Sequence, residues 1–416
     1  MKILKIFALI FFSIIVSLLL FVFLEFISSF FIGQNNDRLQ DIIRLLEQDS
    51  VLFWKQRPNL NVEFQKQKVS TNSIGFRNSE IKQKEKTRII CLGASPTFGY
   101  GVKYEDTYPY VLGKSLQEGE FDVEVINAGE IGYSSYQGLN FLKNKIINLN
   151  PDIITVSYVI NDIDKYRFFR SSYLSDKELK PLSKIVIVIS NFIYNFNIFK
   201  LINKISKSKL SKRQQYYGKN YNNQYTENRR VSLEDYEKNL KEFIDFAKEN
   251  DIKIFFIVMP VNLPTKKVLT EQENFKLNNL MLDVEKSLQE RKYNECKSML
   301  ENILLIDPFY TKSYYYLGVL AEEENNIDLA NEYFEKAKNF EIFDCATISL
   351  EYNDVMRKVA LSNNITFCDC AKEFKKYNGD YLFVDPKYDC FHPNAKGHSI
   401  IAEMLTDKII KYFEGA

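Results

Sequence analysis

The chain has 416 residues, 45% hydrophobic and 14% aromatic, and its 55 Lys and Arg against 54 Asp and Glu leave a formal net charge of +1. That is apolar material for one large domain plus an accessory unit. The near-zero charge argues against nucleic acid as the main partner, while leaving room for local basic patches. Only two histidines, His392 and His398, are present, so any imidazole chemistry must use one of them.

From Ile6 to Leu24 there are nineteen residues without a charge, long enough to cross a bilayer at about 1.5 Å per helical residue. Lys2 and Lys5 precede this run, favouring a cytoplasmic N-terminus and placing everything after Gly33 on the extracytoplasmic side, periplasmic or extracellular. The apolar region is longer than in a cleaved signal peptide and no small-x-small site follows it. Residues 1–33 are therefore read as an uncleaved signal anchor and 34–69 as a linker.

A domain is expected from residue 70. Its first apolar run, Arg88 to Leu92, reads as a buried strand ending in the turn Gly93, Ala94, Ser95, Pro96, with Gly99 and Gly101 following. A serine there sits at the carboxyl edge of an open α/β sheet, where such folds place ligand sites, so Ser95 is the candidate nucleophile. Two further loops would open on the same edge: Asn127 to Gly132 after the run Val123 to Ile126, and Ile160, Asn161, Asp162 after Ile153 to Tyr158. A glycine amide and an asparagine side-chain amide there would supply the donors an oxyanion requires. Helices are expected over Ser135 to Asn148 and Leu233 to Asn250, the second with Ser232 and Asp235 at capping-box spacing. A fourth strand is expected at Lys253 to Met259 and a fifth at Ile365 to Cys368, giving five parallel strands with helices on both faces.

Two insertions interrupt this rhythm. The first, 163–230, carries an apolar stretch from Ile185 to Ile202 broken by Asn191, Asn195 and Asn197, then Lys204, Lys207, Lys209, Lys212 and Arg213. It reads as a lid over the site, or as a helix resting on the outer membrane face beside the anchor. Gln214 to Asn228 looks like an irregular loop. The second insertion, 277–344, has Tyr314, Leu317, Gly318, Ala321, Ala330, Phe334 and Ala337 at tetratricopeptide offsets. Leu280, Val284, Ser287, Cys296, Leu300 and Ile303 form a degenerate first copy 34 residues earlier, closed by Pro308. Two such units are expected to pack against the main domain, with a protein partner possible there.

The last segment, 345–416, contains Asp389, Cys390, Phe391, His392. An aspartate three residues before a histidine can fold its carboxylate onto ring Nδ1, which leaves Nε2 as a general base. His398 lies inside a final amphipathic helix whose buried face is Ile401, Leu405, Ile409 and Phe413, and is read as structural. The six cysteines, Cys91, Cys296, Cys345, Cys368, Cys370 and Cys390, show irregular spacing with no CxxC pair or zinc cage. No metal and no cofactor are expected.

With these blocks in order, the chain resembles the SGNH (GDSL) hydrolase superfamily over most of 70–413. Ser95 matches the serine of the first block, Gly132 the glycine of the second, Asn161 the asparagine of the third, and Asp389 with His392 the final DxxH. The stretch Asn72 to Arg77 resembles a lead-in of membrane-anchored members. The resemblance implies a three-layer flavodoxin-like fold and an oxyanion hole built from the Ser95 amide, the Gly132 amide and the Asn161 side chain. Where the family has Gly-Asp-Ser this chain has Gly93, Ala94, Ser95, and the usual Gly-x-Asn-Asp is Val159, Ile160, Asn161, Asp162. Neither change removes a catalytic atom. An α/β-hydrolase elbow is set aside because the residue after the serine, Pro96, has no N–H to donate.

Taken singly, each motif has a plainer reading: a structural turn for Gly93 to Ser95, a cap for Asn161, a helix start for DxxH. Their conjunction in this order favours a membrane-anchored serine esterase with a Ser95, His392, Asp389 triad, acting on an acyl ester of an envelope glycan. The alternatives are an O-acyltransferase on envelope polysaccharide using the same triad, and a non-catalytic assembly scaffold.

Overall fold

The computed structural model describes the chain except residues 1, 32–41, 43, 164–166, 170–173, 195, 209–228, 264–268, 378, 387–388 and 416. The expected loop 214–228 and the basic residues Lys209, Lys212 and Arg213 lie outside the described residues. Helix α1 (Lys2–Phe31) contains Leu9–Phe30, a 22-residue stretch long and apolar enough to cross a membrane.

The segment expected to be a linker instead carries two antiparallel hairpins, β1 (Leu46–Asp49) with β2 (Phe53–Gln56) and β3 (Asn61–Phe64) with β4 (Gln67–Ser70). Leu46, Trp54, Phe64 and Val69 from these strands are buried in the main core. Asp49 closes the first turn by accepting from the backbone N–H groups of Val51 and Leu52 at 2.8 and 2.9 Å. Gln65 and Lys66 make the second turn, both at positive φ. Four-residue strands with a turn lacking Asn-Gly or Gly leave little periodicity to read.

Beyond them, β5 (Thr87–Gly93), β6 (Val123–Gly129), β7 (Ile153–Ser157), β8 (Lys253–Val258) and β9 (Phe367–Asp369) form one parallel sheet in the order β6-β5-β7-β8-β9. This is the 2-1-3-4-5 order of flavodoxin-like sheets. The intervening helices are α2 (Ser95–Phe98), α3 (Tyr108–Glu118), α4 (Ser135–Asn144), α5 (Ile160–Ile163), α6 (Lys184–Tyr194), α7 (Asn197–Ser208) and α8 (Leu233–Glu249). After β8 come α9 (Glu271–Gln289), α10 (Tyr293–Ile306), α11 (Thr311–Glu323) and α12 (Ile327–Ser362), then α13 (Cys370–Phe374) and α14 (Ala395–Glu414).

Alternation along β5 sends Ile90 and Leu92 into a core with α4, α8 and the end of α12, and Ile89 and Cys91 into a core with α3 and α14. Both faces of the strand are therefore covered, as a continuous apolar run in a parallel sheet requires. The helix expected over Ser135 to Asn148 ends at Asn144 and gives way to a 3-10 turn, Ile146–Leu149, closed by Asn150 at φ 51°. The fifth strand starts two residues later than expected, because the Ile365 N–H is taken by Ala360 O at the end of α12.

Helices α9 to α12 follow one another through short turns, and the residues at repeat offsets, Val284, Cys296, Leu300, Ile303, Leu317, Ala330 and Phe334 among them, share one core. At Gly318 a Cβ would stand 2.6 Å from the Phe334 ring, so only glycine allows this approach of α11 to α12. The expected boundary at 344 falls inside α12: its first half belongs to the helical unit, while Tyr352, Met356 and Val359 belong to the sheet core. One continuous helix thus ties the insertion to the sheet.

Candidate active site

Gly93 at the end of β5 lies opposite Gly129 of β6 and Ser157 of β7, so these three residues mark the carboxyl edge of the sheet. Ser95, Gly132 and Asn161 follow two, three and four residues beyond that row. The glycines permit α2 to sit directly on the edge. A Cβ at Gly93 would collide with Thr97 Oγ1 and Ser157 Oγ, and one at Gly129 with the Phe98 backbone.

Ser95 opens α2, its Oγ 2.8 Å from His392 Nε2. Behind the ring, His392 Nδ1 lies 2.9 and 3.0 Å from the two Asp389 carboxylate oxygens. The Phe391 and His392 backbone N–H groups both donate to Asp389 Oδ1 at 2.9 Å, so the aspartate is held by its own loop as well as by the ring. Burial alone would raise the Asp389 carboxyl, but the His392 ring and these hydrogen bonds outweigh it and hold it below the usual carboxylate range. Ionised Asp389 next to Nδ1 favours the tautomer with the proton on Nδ1, leaving the Nε2 lone pair towards Ser95. Tyr100 stacks on the imidazole with 4.2 Å between centroids, limiting its rotation.

Asn262, which the sequence did not single out, and Arg77, named there only as the end of the lead-in, fix these loops through backbone carbonyls. Asn262, just after β8, donates from Nδ2 to Pro386 O and Asp389 O at 3.0 and 3.2 Å, and its N–H reaches Cys390 O at 2.9 Å. Arg77, at the end of the lead-in, donates to Phe98 O, Gly99 O and Val102 O at 3.1, 2.6 and 2.9 Å. Burial lowers its pKa to about 10, yet leaves it cationic at neutral pH beside three carbonyl dipoles that close the loop after Ser95.

The loop carrying Gly132 is gripped at four carbonyls. Gln56 Nε2 donates to Gly129 O at 2.6 Å, Trp54 Nε1 to Ile131 O at 2.9 Å, Arg230 Nη1 to Gly132 O at 2.8 Å and Asn161 Nδ2 to Tyr133 O at 3.1 Å. Gly132 has φ 81°, and a Cβ there would run into the Phe168 ring. Asn161 therefore bridges the second and third loops with one amide hydrogen, and among the described residues its second has no hydrogen-bond partner. Arg230 is itself locked on Asp176, which also accepts from Ser134 Oγ at 2.6 Å and Arg167 Nε at 2.7 Å. Burial would raise Asp176, but Arg230, Arg167 and Ser134 together hold it below the usual range. Arg230 and Asp176 lie inside the insertion 163–230, so that segment supports the Gly132 loop.

Two buried carboxyls run the other way. Burial pushes Glu130 up to about 8, with Gln56 offsetting only part, and pushes Asp162 up to about 7 despite its bonds from the Ser135 N–H and hydroxyl. Ala94 and Val159, the two departures from the SGNH pattern, are both buried in the apolar core. His398 is fully buried, accepts the Tyr108 N–H on Nδ1 at 3.1 Å and has no partner for Nε2 among the described residues, with its pKa lowered to about 3 by desolvation. It takes no part in the Ser95 cluster. Among the described residues, no group of three or more His, Cys, Asp or Glu is placed to hold a metal ion.

No family model matches this chain, and no curated protein does. Solved structures do. A lipase/acylhydrolase from Enterococcus faecalis is similar over 77% of this chain and 94% of its own, at 11% identity and a TM-score of 0.37. The acetylxylan esterase Axe2 from Geobacillus stearothermophilus is similar over 79% and 96%, at 13% identity and a TM-score of 0.39. A GDSL-like lipase from Bacteroides thetaiotaomicron is similar over 80% and 93%, at 12% identity and a TM-score of 0.36.

Proposed function

We propose that the chain is a membrane-anchored serine esterase of the SGNH type that cleaves an acyl ester on an envelope glycan. The observation that carries this reading is the relay from Ser95 Oγ at 2.8 Å from His392 Nε2 to Asp389 at 2.9 Å from Nδ1. In the proposed reaction His392 takes the Ser95 proton as Oγ bonds to the ester carbonyl carbon. The resulting oxyanion is met by the Ser95 and Gly132 amides and the Asn161 side chain. His392 then gives its proton to the departing sugar oxygen as the C–O bond breaks. A water, deprotonated by His392, releases the acid and regenerates Ser95. The glycan assignment is supported by α1, which as an anchor would hold the domain against the envelope.

The test is hydrolysis of a short-chain p-nitrophenyl ester and release of acetate from an O-acetylated polysaccharide by the full-length protein in detergent. Turnover of both, lost in Ser95→Ala, supports the reading. Turnover of neither by folded protein, or equal turnover by Ser95→Ala, overturns it. Turnover of the small ester alone keeps the esterase and removes the glycan.

A further inference from the structure

Helix α6 is amphipathic the wrong way round for a helix on a water-soluble surface. Its outward side carries Ile185, Val188, Ile189 and Phe192, at i, i+3, i+4 and i+7, all exposed, with Ile185 at 73%. Its inward side is partly polar: Gln48 Nε2 of β1 donates to Ser190 Oγ at 2.9 Å and to Asn191 Oδ1 at 3.5 Å. Helix α7 continues the pattern, with Phe199, Ile202 and Ile205 exposed. A lid closing on the sheet would turn these apolar stripes inward.

The stripes are continuous with α1. Glu25, the one acidic residue in that helix, accepts the Asn197 N–H on Oε1 at 2.6 Å and the Ile198 N–H on Oε2 at 3.0 Å, so it satisfies the first turn of α7. Phe21 of α1 packs edge-on against Phe196 at 5.0 Å, and Phe196 against Phe192 at 5.0 Å. Glu25 lies six residues before the end of α1, about 9 Å along the axis. The start of α7 is therefore level with the last turns of the apolar helix, within the headgroup and outer acyl zone if α1 spans the bilayer.

We infer that α6 and α7 form a second membrane-contacting element, seated in the lipid beside α1 with their exposed apolar stripes in the acyl region. The occupant of these stripes is lipid. The element joins the bilayer to the active-site loop, because β1, on which α6 rests, pairs with β2, whose Trp54 holds Ile131 O. This inference rests on α1 being a retained anchor and is independent of the ester chemistry.

The test is power-saturation EPR on the full-length protein in nanodiscs of phosphatidylcholine and phosphatidylglycerol, with nitroxides at Val188→Cys and Ile202→Cys. Val16→Cys in α1 and exposed Leu174→Cys serve as lipid and water references, and unsubstituted protein gives the background. The expected result is that 188 and 202 relax with oxygen rather than with a nickel chelate, as Val16→Cys does. Values matching Leu174→Cys, or protection from both reagents as a lid or a second copy would give, overturn the inference. A water-like signal at Val16→Cys, or loss of α1 from the mature protein, overturns it together with the anchor, leaving the esterase reading intact.

Discussion

Arg230 holds the carbonyl of Gly132 at 2.8 Å while Asp176 grips the other side of the same guanidinium at 2.9 Å. The pair is fully buried, with Trp54 stacked 5.2 Å from the guanidinium. A lysine can reach one of these partners but not both. Arg230→Lys should therefore lower kcat by about 10- to 100-fold with a smaller effect on KM, since loop misplacement of around 1 Å costs this much. Arg230→Met strands a buried carboxylate and should cost about 3 kcal/mol in urea unfolding, the lower end for a broken buried pair because Arg167 remains.

Asp389→Asn keeps the shape of the DxxH loop and removes the charge behind His392 Nδ1. Activity should fall about 10⁴-fold through the wrong tautomer, as loss of the triad acid does elsewhere. Thermal unfolding of the variant should stay within a few degrees of wild type, which separates the chemical effect from a folding defect.

Asn161→Ala removes a proposed oxyanion donor and the bond to Tyr133 O. We expect kcat to fall about 10²- to 10³-fold. Gly132→Ala should fall further and also unfold more easily, because φ 81° and the Phe168 ring both oppose a Cβ. Steady-state kinetics beside urea unfolding distinguish the two variants.

Stability should decline on both sides of mid-range pH for identified reasons. Glu130 is raised from 4.5 to about 8 by burial, so the folded state binds more protons than the unfolded chain between those values and stability falls as pH rises through that window. Glu130→Gln should recover roughly 3–5 kcal/mol at pH 9 and little at pH 4. His398 is lowered from 6.5 to about 3, so the unfolded chain binds the extra proton and stability falls as pH drops from 6.5 towards 3. In His398→Asn, whose amide oxygen can accept the Tyr108 N–H, that acid slope should be absent. Urea unfolding at pH 4, 6.5 and 9 checks both.

The candidates Ser95, Asp389 and His392, which the structure brings together, could be picked out because each stands in a local pattern: a turn after a strand, and a carboxylate three residues from an imidazole. The five parallel strands were legible as apolar runs buried on both faces. Arg230, Trp54, Gln56 and Asn262 were not, because each acts on a backbone carbonyl of a loop distant in sequence, and any loop residue offers a carbonyl. The hairpins over 46–70 were hidden by their length and by the Gln65, Lys66 turn. The boundary expected at 344 lies within α12, between Ala337 of the helical core and Tyr352 of the sheet core, and no break in the helix marks it because α12 runs unbroken from one core into the other.

The most direct measurement is reaction of the full-length protein with a fluorophosphonate, followed by peptide mass mapping. One adduct is expected, on Ser95, absent from Ser95→Ala and strongly slowed in Asp389→Asn. Folded wild-type protein that takes no adduct, or takes it on another residue, would contradict it.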